Sequence, residues 1–259
     1  MNRMLRSLVV GAFATVGVAV LAPACADNNS SLFISGVLYD QAPACTVSAD
    51  LTQPMLGGGT LDLAFRKTYE ASLLVGNQLA ARGSKETLRA ETSRVTLRGA
   101  EITLTSSTGA QLNRFSVNGT GFVDVSRGED SGLGIFDAEL IPASIGSQLL
   151  DRLNQLKSMT GSMSQETSDL VVAHVRVFGD TLGNEDLTSS ELSFPITYCE
   201  GCLIVYPLAA LSIGKDGQQH CQNMLTDLPQ PGCRPGQDDP VDCRSCSATN
   251  SLCDTIPSQ

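Results

Sequence analysis

The chain has 259 residues, of which 42% are hydrophobic, so it is long enough to bury a substantial core and disorder throughout is not expected. Its formal net charge of -10, from 27 acidic and 17 basic side chains, repels nucleic acid, so no nucleic-acid partner is expected. Aromatic residues make up only 5% and glycine is frequent, a composition that favours strands joined by tight turns.

The first 24 residues have the three parts of a secretory signal. Arg3 and Arg6 precede an uncharged apolar run at residues 8–21, and small or turn-forming residues follow at 22–24. As a helix, such a run spans about 21 Å, which is too short for a hydrocarbon core of about 30 Å. We therefore predict that residues 1–24 are a cleaved signal peptide.

The residues around Cys25 resemble the signal of bacterial lipoproteins. In that family a small residue, here Ala24, precedes a cysteine that is acylated on sulfur and becomes the new N-terminus. The resemblance implies lipid attachment at Cys25, a tether over residues 25–31 and a membrane partner. Because Ala26 stands where an Asp signals inner-membrane retention, it also implies the outer membrane, on its periplasmic or surface face. Ordinary cleavage after Ala26, which discards Cys25, is the alternative.

Residues 32–198 carry repeated apolar stretches separated by turn residues, a pattern typical of strands. Period two is clear where Leu192, Phe194 and Ile196 fall on one side. We predict a mainly β body, a β-sandwich for which the immunoglobulin fold is one candidate. The predicted strands are Leu32–Tyr39, Thr60–Phe65, Tyr69–Gly76, Thr87–Leu97, Ala100–Thr105, Arg114–Asn118, Gly121–Val125, Leu133–Ile141, Leu170–Phe178 and Glu191–Thr197.

One helix interrupts the strands. Ser144 is a suitable N-cap, and the apolar residues that follow share one face at helical spacing. These residues are Ile145, Leu149, Leu153 and Leu156, with Leu150 beside them. We predict a crossover helix that covers the core, followed by a polar, mobile loop over Ser158–Asp169.

The chain contains nine cysteines, and removal of Cys25 by acylation or cleavage leaves an even number. Seven of the remaining eight lie at or after residue 199, so complete pairing requires at least one of them to reach back to Cys45. This predicts an irregular, disulfide-rich tail over residues 199–259 that is joined to the start of the body, with connectivity left open. The candidates are Cys45, Cys199, Cys202, Cys221, Cys233, Cys243, Cys246 and Cys253.

Two cysteine pairs also have metal-ligand spacing: Cys199 with Cys202, and Cys243 with Cys246. His220 could add a nitrogen, so metal binding by the tail is an alternative. An oxidising compartment favours disulfides, and we predict no metal and no other cofactor. Neither pair is predicted to open a helix after a strand, which argues against thioredoxin-like redox chemistry.

The segment Pro235–Cys243, together with Phe194–Ile196 and Cys199–Leu203, resembles a pattern in uncharacterised predicted lipoproteins of Gram-negative bacteria, and this resemblance implies no activity. Three acidic residues there, Asp238, Asp239 and Asp242, could bind calcium. They lack the alternating spacing of a calcium loop, so an acidic turn is the prediction.

Few residues point to catalysis. The two histidines are His174, on the polar side of a strand, and His220 in the tail, and the sequence contains neither a nucleophile elbow nor a phosphate loop. We predict a non-enzymatic binding or structural role in the bacterial envelope, with a protein or glycan partner. The alternative is an exported hydrolase acting through carboxylates that the sequence does not single out.

Overall fold

The computed structural model describes residues 31–127, 132–160, 167–215, 217–222 and 230–254. In chain order its strands are β1 (Leu32–Leu38), β2 (Met55–Leu56), β3 (Gly59–Asp62), β4 (Tyr69–Asn77), β5 (Val95–Ser106), β6 (Gln111–Val123), β7 (Gly132–Ile141), β8 (Ser168–Thr181), β9 (Asp186–Thr188), β10 (Leu192–Cys199), β11 (Ile204–Val205), β12 (Leu211–Ile213), β13 (Gln219–Cys221) and β14 (Val241–Asp242). The helices are α1 (Ala143–Thr160) and α2 (Cys243–Cys246), with 3₁₀ turns at Leu208–Ala210 and Ser251–Cys253.

Two sheets pack face to face. The first has the antiparallel order β2-β1-β4-β7, and the second has the order β3-β10-β8-β5-β6, with β9 paired to β8. Side chains of both sheets, among them Leu73 and Phe136 from the first and Ile102 and Val175 from the second, belong to one buried cluster. The prediction of a mainly β body is therefore confirmed. The strand order, with β3 and β10 parallel at one edge, differs from that of the immunoglobulin fold.

Two pairs of predicted strands are each one strand in the structure. Strand β5 joins Thr87–Leu97 to Ala100–Thr105, although it begins only at Val95, and β6 joins Arg114–Asn118 to Gly121–Val125. Both strands are therefore longer than the sequence pattern predicts, and together they form a long antiparallel hairpin in the second sheet.

The break predicted within β5 is a β-bulge at Gly99. The pairing register with β6 and β8 shifts between Leu97 and Gly99. A Cβ atom at position 99 would lie 2.5 Å from the carbonyl oxygen of Val117, so glycine permits this close approach. Residues 87–94, predicted as strand, lie outside the two sheets, and Leu88 is 92% exposed there.

Helix α1 covers the sandwich core as predicted. Ile145, Leu149 and Leu153 are buried in the main cluster. The predicted N-cap at Ser144 is wrong, because the helix begins at Ala143, and the carbonyl of Pro142 accepts hydrogen bonds from the next turn. The helix continues through residues 158–160 of the predicted loop, whereas residues 161–166 lie outside the described residues.

Among the described residues, no helix has the length and apolar character needed to cross a membrane.

The tail has its own small core and more regular structure than predicted. Strand β11 pairs with β14 in parallel, and β12 pairs with β13 in an antiparallel ladder. The buried residues of this core are Ile204, Ala210, Cys221, Val241, Cys243, Cys246 and Cys253, and Phe65 from the body packs against them. Four of these seven are cysteines, so disulfides take the place of large apolar side chains.

We expect Leu153→Ala to lower the free energy of unfolding by about 3 kcal/mol, because a fully buried leucine leaves a cavity in a packed core. Met159→Ala is the matched control on the same helix: its side chain is 82% exposed, and a change below about 0.5 kcal/mol is expected. Urea denaturation without reductant measures both. Equal losses in the two variants would contradict the assignment of the buried face.

Candidate functional site

All eight predicted cysteines are paired. The bonds are Cys45–Cys233, Cys199–Cys202, Cys221–Cys243 and Cys246–Cys253. Cys233 is thus the residue by which the tail reaches back to Cys45, as the cysteine count requires. The Cys243–Cys246 segment forms a helix, α2, after strand β14, so the prediction that neither cysteine pair opens a helix after a strand is wrong. Cys243 and Cys246 are nevertheless not bonded to each other, because each pairs with a different cysteine of the tail.

One group in the described part of the chain brings potential metal-ligating atoms together: Asp62, Cys199 and Cys202, within 4.8 Å of one another. The two sulfurs are bonded to each other, and the carboxylate accepts hydrogen bonds from the backbone amides of Gly201 at 2.7 Å and Leu203 at 2.9 Å. These atoms therefore support the chain where β10 turns into the tail.

The tail contacts the sandwich through four polar residues, Arg234, Gln237, Asp238 and Asp239, which we call the junction cluster. The backbone on either side of Gln237 extends the second sheet, because Asp62 N donates to Gly236 O at 2.9 Å and Asp238 N donates to Thr60 O at 3.0 Å. The segment thus pairs with the edge of β3 that faces away from β10.

The carboxylates of the junction cluster are hydrogen-bond acceptors inside the protein. Asp238 accepts from Tyr69 Oη at 2.6 Å and from Thr60 N at 2.7 Å. Asp239, which is 4% exposed, accepts from Tyr39 Oη at 2.7 Å and from Arg234 N at 2.8 Å. The predicted acidic turn is thus a structural element of the tail–body contact.

These contacts shift the titration of the groups involved. Burial raises the pKa of Asp238, because water no longer solvates its charged form well. The hydrogen bond to Asp239 raises the pKa of Tyr39 to about 12, and burial adds to this effect. Burial also raises the pKa of Tyr69 far above its ordinary value. Both phenols therefore act as hydrogen-bond donors at neutral pH.

The third acidic residue of the predicted turn has a different role. Asp242 accepts from Arg244 N at 3.0 Å and so caps helix α2, and its side chain pairs with the Arg244 guanidinium at 2.7 Å. That hydrogen bond from Arg244 holds the pKa of Asp242 below its ordinary value.

Arg234 joins the junction cluster to one end of the first sheet, where β1 ends and the antiparallel β4 begins. Its Nε lies 2.7 Å from Asp40 Oδ2, just beyond β1, and its Nη1 donates to the carbonyl of Glu70 in β4 at 2.6 Å. Gln237 Nε2 donates to the same carbonyl at 2.6 Å. Because Arg234 and Asp40 are both largely buried, their pairing is stronger than that of a typical surface ion pair.

An open groove of about 660 Å³ lies beside the junction cluster. Four carboxylates line it, from Asp40, Glu70, Asp137 and Glu139, against the single guanidinium of Arg234. Glu70 and Glu139 stand directly opposite each other on β4 and β7, a cross-strand pairing that is unfavourable for like charges. The groove is a surface that attracts positively charged groups.

A hydroxyl, an imidazole and a carboxylate are aligned on the outer face of the second sheet. Thr105 Oγ1 lies 3.1 Å from His174 Nε2, and His174 Nδ1 lies 3.1 Å from Glu191 Oε1, the order found in hydrolytic triads. Ser193 Oγ also contacts His174 Nδ1 at 3.0 Å, and Arg176 pairs with the carboxylate.

This alignment lacks the surroundings that acyl transfer needs. Strands β5 and β8 each have a hydrogen-bonded neighbour on both sides, so their backbone amides are committed to the sheet and cannot stabilise an oxyanion. We interpret the network as cross-strand support for the sheet.

The predicted tail histidine, His220, lies with its Nδ1 3.3 Å from Asp254 Oδ2. The predicted lipid-attachment residue, Cys25, lies outside the described residues, so acylation stays a prediction.

Comparison with protein-family models, curated proteins and solved structures found no match to this chain.

The groove is not among the sites predicted from the sequence, although the alternation of polar and apolar residues in two strands indicates its polar face. Glu70 and Ser72 alternate with apolar residues in β4, as Asp137 and Glu139 do in β7, and the two polar sets face each other in the ladder. Period two thus places them on one face, but which strands are neighbours is not visible in the sequence.

We expect the double substitution Cys45→Ser with Cys233→Ser to lower the free energy of unfolding by about 5 kcal/mol, because this bond closes a loop with a sequence separation of 188. For Cys199→Ser with Cys202→Ser, at a separation of 3, the same chain-entropy argument gives about 2 kcal/mol. Denaturant titration of both variants without reductant measures the difference. A larger loss in the second variant would contradict the argument.

We expect Asp238→Asn to become more stable relative to the parent protein as pH rises from 4 to 7. A carboxyl group whose pKa is raised on folding stabilises the protein at pH values below the pKa that it has in the unfolded chain. That contribution is lost as pH rises through the pKa of the folded state. The amide does not titrate and keeps one acceptor oxygen. Unfolding free energies at several pH values test this.

Asp180→Asn is the control for this pH dependence. The hydrogen bond from Arg98 lowers the pKa of Asp180, so this residue titrates below the tested range and no such gain is expected. A flat difference for Asp238→Asn across the range would show that its carboxyl group is not destabilised by burial.

Proposed function

We propose that this protein is an exported, lipid-anchored component of the bacterial cell envelope, with a binding or structural role rather than a catalytic one. The observation that carries the proposal is the set of four disulfides, which includes a bond between residues 188 positions apart. Such bonds form and persist in an oxidising compartment. The apolar run near the N-terminus supplies the matching export signal.

The fold supports a role for the protein as a rigid module. The tail is joined to the sandwich by a disulfide, an ion pair between Arg234 and Asp40, and the buried acceptors of the junction cluster. The polar groups best placed for chemistry, in the junction cluster and around His174, are engaged in these structural contacts. Binding at a surface fits this arrangement better than turnover.

An anchor at Cys25 would also hold one end of the sandwich near the membrane. Residues 26–31 span at most about 20 Å when extended, so the start of β1 at Leu32 would lie close to the membrane. Strand β1 and the two residues after it lead from there to Asp40 over about 25 Å. The acidic groove lies at this Asp40 end, away from the tether, where a protein or glycan with positively charged groups can reach it.

The test is the intact mass of the mature protein, together with the mass of its N-terminal peptide, after expression in a Gram-negative host. We expect a diacyl or triacyl modification on Cys25 and recovery in the outer-membrane fraction. Cys25→Ser is the control, and it should leave the protein free of lipid and outside that fraction. A mature chain that begins at Asp27 without lipid would refute the anchor.

A further inference from the structure

The disulfide between Cys199 and Cys202 differs from the other three in two respects. Cys202 is exposed to solvent while Cys199 is fully buried, so an attacking thiol can approach one sulfur only. The bond closes the shortest loop, with a separation of 3 compared with 7, 22 and 188. Because short loops lose little entropy when they close, this bond constrains the unfolded chain least.

Each of the other three described disulfides lacks either an exposed cysteine or a short loop. Both bonds within the tail core join cysteines that are at most 6% exposed. Cys45 is exposed, but its bond closes the longest loop, so its reduction would lower the free energy of unfolding more than reduction of any of the other three. Access and a short loop coincide only at Cys199–Cys202 among the described disulfides.

The loop between these two cysteines is held in place by contacts that do not involve sulfur. The buried carboxylate of Asp62 accepts hydrogen bonds from Gly201 N and Leu203 N, one on each oxygen. The carbonyl of Cys199 accepts from Leu63 N at 2.8 Å. Opening the S–S bond would therefore leave the two thiols close together, ready to form the bond again.

The charges around the pair give the two sulfurs different chemical roles. Both lie within 4.8 Å of an Asp62 carboxylate oxygen, but only Cys202 has water to solvate a negative charge. Glu200, between them, is neutralised by Lys157 at 2.6 Å. In the reduced form, Cys202 is thus the sulfur suited to act as a nucleophilic thiolate, and Cys199 is the thiol that closes the bond again.

We propose that Cys199–Cys202 is a site of reversible thiol–disulfide exchange with a dithiol of another exported protein. A thiolate of the partner attacks Cys202 Sγ and a mixed disulfide forms. The Cys199 sulfur leaves and takes up the proton that the partner's thiol had released to solvent, so no thiolate stays buried beside Asp62. The partner's second thiol then attacks its own sulfur in the mixed disulfide and releases Cys202. The partner dithiol is oxidised to a disulfide, and this protein gains two thiols, with two electrons transferred.

The first test titrates the folded, full-length protein with dithiothreitol, which serves as the dithiol probe, and identifies free cysteines by alkylation and peptide mass spectrometry. After a fixed reaction time, we expect Cys199 and Cys202 to be reduced at a reductant concentration at least tenfold below that needed for the other six disulfide-bonded cysteines, because an accessible sulfur is attacked faster, with an unchanged circular dichroism spectrum. Reduction of all four bonds together, or only on unfolding, would overturn the proposal. This result is independent of lipid attachment, so the two proposals fail separately.

A matched pair of variants tests the assignment of roles. Cys199→Ser leaves the exposed Cys202 as a free thiol, whereas Cys202→Ser leaves the buried Cys199. With oxidised glutathione as the probe, we expect the first variant to form a mixed disulfide at least tenfold faster than the second. Equal rates in variants that keep the native circular dichroism spectrum would overturn the asymmetry, and if either variant fails to fold, the titration of the unaltered protein decides.

Discussion

Strand β3 is only four residues long, yet most of the structure that distinguishes this protein from a plain sandwich depends on it. On one side it pairs in parallel with β10, and on the other it pairs with the tail at Gln237. Its last residue, Asp62, supports the turn that leads into the tail. At its first residue, Gly59, a Cβ atom would overlap the Tyr69 hydroxyl, 2.1 Å away. A short strand thus joins two cores, and both segments that pair with it, β10 and the tail, are distant in sequence.

Buried carboxylates are the means by which this connection is made. Asp62, Asp238 and Asp239 each accept hydrogen bonds from backbone amides or phenols where the tail meets the body. Removing a carboxylate from water is unfavourable, as the raised pKa of Asp238 reflects, but an unpaired amide at the same place is costly too. The acidic composition of the chain therefore serves internal structure as well as the surface.

Much of the architecture could be predicted from the sequence, because it depends on local periodicity and on counting. Alternating apolar residues located most strands, helical spacing gave the buried face of α1, and cysteine parity required a tail residue to reach Cys45. Leu88 and its neighbours have the sequence pattern of a strand, but within the described residues no strand pairs with them, and Arg89 forms only an isolated bridge with Ser84. The short strands of the tail have too few residues to show a period, and disulfides hold them together.

The candidate sites were less predictable, because their residues meet only through long-range pairing. The groove combines Asp40, Glu70 and Asp137 with Arg234, from four separate parts of the chain. Asp62 did carry a local signal, since a carboxylate between two leucines of a strand must be either exposed or well hydrogen-bonded. The Cys199–Cys202 spacing was visible too, but the burial of one sulfur and the exposure of the other were not.

The bond between Cys45 and Cys233 also bears on how the chain matures. A ribosome or an export channel delivers residue 45 long before residue 233, and the first cysteine to follow Cys45 in the sequence is Cys199. Oxidation in order of appearance would therefore join Cys45 to the wrong partner. The native pairing must wait for the tail to arrive or be reached by reshuffling, which takes on the order of minutes to hours without a catalyst. If Cys45 is oxidised before the tail arrives, the native fold therefore depends on isomerisation of disulfides as well as on their formation.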